Sequence, residues 1–598
     1  MLKEIVALTS AFEAKHQVKL HLSGLPYIRT VVSNKIAGEF KLFLALAVLI
    51  TAVILLLFFR SLSAVIFPLI VVGIGVVLSL GTLVLFGYKI TLLTALIPPL
   101  IVVIGIPNCI LLLNKYHTEY MLHQNKVQAL SIAVKQIGIT TFYANVTTAI
   151  GFGVFAFTKS EVLTQFGIVA AINVMATWIM SMVLIPVIFS FLPNPKLWQT
   201  RHLDNQVLKT FINKIDHWIH FDRKKIYWTT LIIILISMVG VSKININGFM
   251  VDDLPKNDPI LADLQFFEQN FDGVLPLEIK IDTKRKNGLA NISMLKKIEK
   301  LENMISAYPA ISKSLSVNEV LKFSKQAYYN GDPNFYSSPT QSEALFILKY
   351  AKNAGKASGS KSLMRTYVDS LNQSTRISFQ MADIGSKKTN ALFTELKPRI
   401  DSIFNPAKYE VLLTGASVIF VDGTNYLFTN LRESLLLAIA LIALLMLVLF
   451  RTMKMVIISL LPNIIPLLIT AGIMGFVGIN LKPSTILIFS IAFGIASDQT
   501  LYFLTKYRHE QKTKNWDISK LTSITLKESG LGMIYTAIIL FFGFGIFAAS
   551  NFGGTVSLGI LISITLLVAV ISNLILLPSL LLSLEKSIHK KAASDLKS

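Results

Sequence analysis

Leu413-Thr414-Gly415, followed by an apolar run that closes on Phe450-Arg451, is the stretch that decides the fold, because the chain has spelled it once before. Leu22-Ser23-Gly24 precedes an apolar run ending in Phe59-Arg60, 391 positions earlier. The same offset carries Gly87 onto Gly478, Thr94 onto Thr485 and Lys115-Tyr116 onto Lys506-Tyr507. One inserted residue makes the offset 392, and Gly151-Phe152-Gly153 then falls on Gly543-Phe544-Gly545 and Pro186 on Pro578. A membrane unit duplicated in this way is a mark of many secondary transporters.

The composition fits a polytopic α-helical membrane protein: 53% of residues are hydrophobic, 15% are charged, and the mean hydropathy is +0.61. Crossing a bilayer takes roughly 20 apolar residues. Windows near that length lie at 42–59, 64–86, 91–113, 139–157, 166–191, 226–242, 434–450, 456–478, 484–504, 532–549 and 555–582. Lysine and arginine then set the orientation. The loops at 60–63, 115–136, 196–225, 451–455 and 506–530 and the tail from 585 hold 23 of them, against Lys89, Lys159 and Lys482 on the other side. The first set is expected to be cytoplasmic, with the C-terminus. The net charge of +22 follows from that bias and a basic outer segment, and it suits contact with anionic headgroups; nucleic acid is not needed to explain it. The one cysteine, Cys109, lies within a span and reads as packing.

These windows divide the chain. Residues 1–40 read as the remnant of a first outer domain, 41–192 as a first repeat of five spans, and 193–225 as a cytoplasmic linker. Residues 226–242 form the leading span of the second repeat, 243–430 an extracytoplasmic α/β domain, 431–584 the second five spans and 585–598 a cytoplasmic tail. A span and a long polar segment precede Gly415, whereas only 23 residues precede Gly24. The chain is therefore read as an N-terminally truncated form of a twelve-span protein, with a native eleven-span protein as the alternative.

Within 243–430, Leu277–Ile281 and Thr375–Met381 alternate as strands, helices are expected at 291–306 and 387–403, and a strand at Tyr409–Leu413 leads into Gly415. That order favours split β-α-β units. Residues 3–15 and 18–22 read as the last helix and strand of the counterpart domain, and 351–362 as a mobile loop. Asp252-Asp253 reads as a helix cap or turn rather than a metal site, since no further carboxylates stand at ligand spacing.

One carboxylate breaks the symmetry of the duplication. Asp498 stands within Ile491-Ala492-Phe493-Gly494-Ile495-Ala496-Ser497-Asp498-Gln499-Thr500-Leu501-Tyr502-Phe503, and its mate in the first copy is Pro107. A charged carboxylate at membrane depth costs on the order of 2.5–3.5 kcal/mol on insertion scales. No Lys or Arg lies within these apolar windows to pair with it. Desolvation disfavours the charged form, which suits a group that takes up and releases protons. Gly494, one turn earlier, allows close helix approach. The candidate relay neighbours are Gln499, Asn108, Tyr535, Thr536 and Asn573, each of which is also a common packing hydrogen-bonder in membranes; Asn114 lies on the same helix as Asn108. The sequence carries no G-x-x-x-x-G-K-[ST], H-E-x-x-H, G-x-S-x-G or Cys/His cluster, so neither an ATP motor nor an enzyme is expected, and no metal or cofactor.

The duplicated spans, the outer segment between the copies, Gly494-x-x-x-Asp498 and the ending Asn573-Leu574-Ile575-Leu576-Leu577-Pro578 resemble the resistance-nodulation-division (RND) superfamily in its MMPL-type branch. The resemblance implies a duplicated transmembrane bundle with an extracytoplasmic α/β porter-like domain, in the bacterial inner membrane. It implies a proton-coupled exporter of hydrophobic or lipid-like substrates, and a homo-oligomer is compatible with it. Asp498 carries over as the proton-relay acid of the second copy; in the first, Val103 and Pro107 replace the glycine and the aspartate, with Asn108 alongside. Where the family often follows its acid with Tyr, Gln499 stands here. The alternatives are a non-transporting lipid- or sterol-sensing-type regulatory membrane protein and an inactive fragment.

Overall fold

The computed structural model describes every residue except 1, 196–205, 246, 250–253, 255–257, 272, 341, 344–346, 348–365, 482, 514–516 and 596–598. Asp252-Asp253 and the 351–362 stretch lie outside the described residues. The chain divides into two compact units: Met1–Thr30 with Asn247–Tyr426, and Val31–Ile246 with Leu427–Ser598.

In chain order the elements begin with α1 (Leu2–His16), α2 (Leu25–Phe59), α3 (Leu62–Leu85), α4 (Ile97–His123), α5 (Lys126–Gly153) and α6 (Glu161–Phe191). They continue with α7 (Gln206–Phe221), α8 (Arg223–Ser242), α9 (Pro259–Asn270), β1 (Leu275–Asp282), α10 (Ile292–Ser306), α11 (Val317–Tyr328) and β2 (Ser374–Met381). The last are α12 (Ser386–Ile403), β3 (Glu410–Thr414), α13 (Ala416–Phe450), α14 (Met453–Val477), α15 (Pro483–Thr513), α16 (Ile518–Gly545) and α17 (Gly553–Asp595).

Among the described residues, eleven helices are long and apolar enough to cross a membrane: α2 to α6, α8 and α13 to α17. The chain is thus a polytopic helical membrane protein. Several of these helices run past the apolar windows, because a helix continues into the polar zone until a residue suited to ending it arrives. The duplication reaches the backbone at those ends. Gly24 and Gly415 have φ of 119° and 102°, Gly87 and Gly478 67° and 78°, and Arg60 and Arg451 50° and 58°. The two glycine pairs enter or leave their helices at positive φ, where glycine carries no Cβ penalty, and the arginine pair after Phe59 and Phe450 repeats the same conformation.

Burial ranks the spans. The apolar windows of α4 and α15 are 94% and 89% enclosed, whereas that of α8 is 11% enclosed. The repeat mates α4 and α15 therefore form the centre of the bundle. Lipid tails are as apolar as leucine, so helices in a membrane associate through close packing and small residues rather than through burial from water. α8 illustrates this: Gly240 lies against Gly472 of α14 so tightly that a Cβ on Gly240 would stand 2.7 Å from Gly472 Cα. A Cβ on Gly472 would stand 2.7 Å from Ser237 Cα. Gly81, the mate of Gly472 on α3, has nothing within 4 Å of where its Cβ would be.

In the other unit, β1 pairs antiparallel with β2 on one side and with β3 on the other. β2 and β3 therefore run parallel to each other with β1 between them, and α12 connects them: a split β-α-β unit. Ile279 stands opposite Ile377 and Leu413. Leu277, Ile279 and Ile281 are buried with Ile377 and Phe379, beneath Ile298, Leu301 and Ile305 of α10 and Leu396 and Ile400 of α12. Caps fix the helix starts. Asn291 accepts from Ser293 N ahead of α10, and Ser316 accepts from Asn318 N and Glu319 N ahead of α11. Residues 18–22 were expected as a strand and form none. Their groups bond to acidic side chains instead: Leu20 N donates to Glu13 at 2.7 Å, and His21 Nδ1 lies 2.8 Å from Asp263 Oδ1.

The repeat supplies its own control for the packing argument. Gly472→Val is expected to destabilise the protein by about 1–3 kcal/mol through overpacking against α8, while Gly81→Val is close to neutral. Unfolding of the two variants in detergent micelles by steric trapping compares them directly.

Candidate functional site

Asp498 lies midway along α15, a largely buried helix on which Ser490, Ser497, Gln499 and Thr500 are buried polar residues as well. Its carboxylate meets two hydroxyls of α5. Thr147 Oγ1 donates to Oδ1 at 3.0 Å, and Thr148 Oγ1 reaches Oδ1 and Oδ2 at 2.9 and 3.0 Å. The partner of the carboxylate is therefore a pair of neutral hydroxyls, and the bond crosses from the second copy to the first.

Two glycines bring these helices close enough. A Cβ on Gly151 would stand 2.9 Å from Gly494 Cα and 3.0 Å from Ser490 O, and one on Gly494 would stand 3.0 Å from both Gly151 Cα and Thr147 O. Since the helices run antiparallel, the glycine contact one turn away sets Thr147 and Thr148 against Asp498. The matching interface in the other half is built differently. There Gly543 of α16 faces Val103, whose Cγ1 and Cγ2 would stand 2.5 and 2.8 Å from an added Cβ, so a side chain fills the space that backbone fills at Gly494. The mates of Thr147 and Thr148 are Ile539 and Leu540. Carboxylate and hydroxyls are thus replaced together, by Pro107 and by two apolar residues.

A small cavity of about 40 Å³ adjoins the carboxylate, and its walls come in repeat-related pairs: Pro107 with Asp498, Asn108 with Gln499, Leu111 with Tyr502 and Ala144 with Thr536. Asn108 is paired: it donates to Asn145 Oδ1 at 3.1 Å and accepts from Asn145 Nδ2 at 2.8 Å. At the position of Asn145 the second copy has Ala537.

Of the residues singled out from the sequence, Asp498, Gln499, Asn108 and Thr536 line this one cavity, and Gly494 sits in the helix contact beside it. Asn573 lies elsewhere: it joins Thr500 and Asn463 in a buried cluster, with Thr500 Oγ1 2.9 Å from Asn463 Oδ1 and 2.5 Å from Asn573 Oδ1. Tyr535 packs against Phe58 with ring centroids 4.5 Å apart and lines a larger neighbouring cavity rather than this one. Thr147 and Thr148 went unnoticed in the sequence. Their signal was the comparison of copies, Thr-Thr against Ile-Leu, but it points to Asp498 only once α5 is known to pack on α15. Among the described residues no group of three or more His, Cys, Asp or Glu could hold a metal ion.

A family model described as the MMPL family matches residues 1–221 and 338–595. A protein of Methanocaldococcus jannaschii named only as a membrane protein is 22% identical over 391 residues, covering 64% of this chain and 96% of that protein.

The hydroxyl–carboxylate contact has a measurable worth. Hydrogen bonds between membrane helices contribute about 0.6 kcal/mol on average and up to about 1.7 kcal/mol. A double-mutant cycle of Thr148→Val with Asp498→Leu, each of which removes one partner of the hydrogen bond, is expected to return a coupling energy in that range when read by unfolding in micelles. The corresponding cycle of Leu540→Val with Pro107→Ala has no hydrogen bond to remove, and any coupling it returns comes from packing around the cavity they share.

Proposed function

The chain belongs to the MMPL family of the RND superfamily, and from that premise we propose that it is a proton-coupled secondary transporter that exports hydrophobic or lipid-like molecules from the membrane. The observation that carries this reading is the carboxylate of Asp498, held at the centre of the bundle by hydroxyls of the opposite repeat. When ionised it accepts from both Thr147 and Thr148. When protonated it gains an O–H that must donate, and its bonding across the repeats changes. A proton taken up here therefore alters how the two copies hold each other, which is what a rocking mechanism needs. The membrane potential supplies about 2.3 kcal/mol per charge per 100 mV if the proton crosses the whole field.

On this reading the 23 basic residues face the cytoplasm, and the unit containing β1 to β3 lies outside the membrane, where it takes part in substrate uptake as a porter-like domain. One acid rather than two implies one proton site per chain. The loss of the first-half acid also favours a second reading, a lipid-responsive regulatory membrane protein without proton flux. The paired hydroxyls kept around Asp498 weigh against it.

Full-length protein in vesicles of polar lipid extract, with an entrapped pH dye, separates the two. Under an imposed pH gradient the wild type is expected to collapse the gradient faster than empty vesicles, and Asp498→Asn to match empty vesicles while inserting normally. Equal proton flux in wild type and variant removes Asp498 from the mechanism. No flux above background in either supports the regulatory reading.

A further inference from the structure

A second, larger cavity abuts the one beside Asp498. It measures about 550 Å³, and Lys115, Glu119, Lys506, Glu510, Lys527 and Glu528 line it. Lys115 pairs with Glu119 at 2.7 Å, and Lys506 with Glu510 and Glu528 at 2.9 and 2.6 Å. Three cations and three anions leave these walls balanced, so the space suits water and carries no bias toward an anion, while its charges disfavour a lipid tail. The two cavities share the walls Leu111 and Tyr502, which are repeat mates on α4 and α15. Both rest on Gly532 of α16, where a Cβ would stand 3.0 Å from Leu111 Cδ2 and 3.3 Å from Tyr502 Oη.

Behind these two residues lies an unsatisfied amide. Gln499 is 4% exposed, and neither its Nε2 nor its Oε1 has a hydrogen-bond partner among the described residues. The repeat explains why. Its mate Asn108 is satisfied by Asn145, and at that position the second copy has Ala537. An unpaired buried amide is costly, and the adjoining cavity of about 40 Å³ has room for about two waters.

We propose that the charged vestibule is the port through which Asp498 exchanges its proton with the cytoplasm, that Leu111 and Tyr502 close it, and that the Gln499 amide positions the water behind the closure. This rests on Asp498 being the proton site. In release to this side, the O–H bond of the Asp498 carboxyl breaks as an O–H bond forms on a water held near Gln499, leaving the carboxylate and a hydronium; exchange runs the same step in both directions. Gln499 itself is unchanged, which makes it a positioning residue. On the first-copy side the equivalent amide is locked in the Asn108–Asn145 pair and cannot serve.

The test reads the exchange of the Asp498 proton for deuterium, by infrared spectroscopy of the full-length protein in lipid vesicles. The carboxyl C=O band is assigned by its loss in Asp498→Asn. Leu111→Ala is expected to speed the exchange, and Gln499→Leu to slow it, each by about tenfold. A bulky impermeant thiol reagent on Gln136→Cys, which lines the vestibule, is expected to slow it in a Cys109→Ser background. Should Gln499→Leu fail to fold, Ala537→Asn offers the amide the partner it lacks and should also slow exchange, whereas the bulkier apolar Ala537→Val should not. Exchange at the wild-type rate in all of these variants overturns the port. A carboxyl band that survives in Asp498→Asn removes the proton site on which the port depends, and so distinguishes that failure from this one.

Discussion

The contact between Gly151 and Gly494 is the constraint on which the rest depends. Two backbones at about 3 Å from where each other's Cβ would be leave no space for a side chain. That approach puts the short hydroxyls of Thr147 and Thr148 within hydrogen-bond reach of Asp498 one turn away. With wider spacing the carboxylate would have no partner, and an unpartnered charge at membrane depth is costly. Small residues thus permit a polar contact that larger ones would have excluded, and the polar contact links the two copies of the duplicated unit.

The same duplication, built without those residues, gives the comparison. Val103 occupies the position of Gly494, and Pro107, Ile539 and Leu540 occupy the positions of Asp498, Thr147 and Thr148. Three polar groups and one glycine were exchanged as a set, which is the pattern expected if they act as a set. The half that lost the acid also kept its amide satisfied through Asn145, and the half that kept the acid has an unpaired Gln499 instead. The centre of the bundle is in this sense one polar site and one packed interface, made from the same pair of helices twice.

Much of the architecture was legible in the sequence, for a physical reason. Membrane helices declare themselves by length and hydropathy, and the repeat offset reads directly from residues such as Gly87 and Gly478, whose left-handed φ values glycine accommodates without strain. The strands Leu275–Asp282 and Ser374–Met381 showed by alternation. The strand expected at 18–22 failed because alternation says nothing of whether a pairing edge exists, and Leu20 and His21 turned to Glu13 and Asp263 instead. Asp498 was conspicuous as a lone charge. Its hydroxyl partners, 350 residues away in sequence, were not, because a threonine in a span is ordinary until the facing helix is known. Asn573 shows the converse: a polar residue in the right span that faces other neighbours.

In the proposed mechanism, the protonation of Asp498 governs how the two copies sit against each other. Spin labels at Val127→Cys on α5 and Lys520→Cys on α16, in a Cys109→Ser background, report that distance by pulsed electron paramagnetic resonance in lipid nanodiscs. The expected distance distribution shifts with pH in the wild type and stays fixed in Asp498→Asn, at the position of the protonated wild type. A pH-dependent shift that persists unchanged in Asp498→Asn would contradict it.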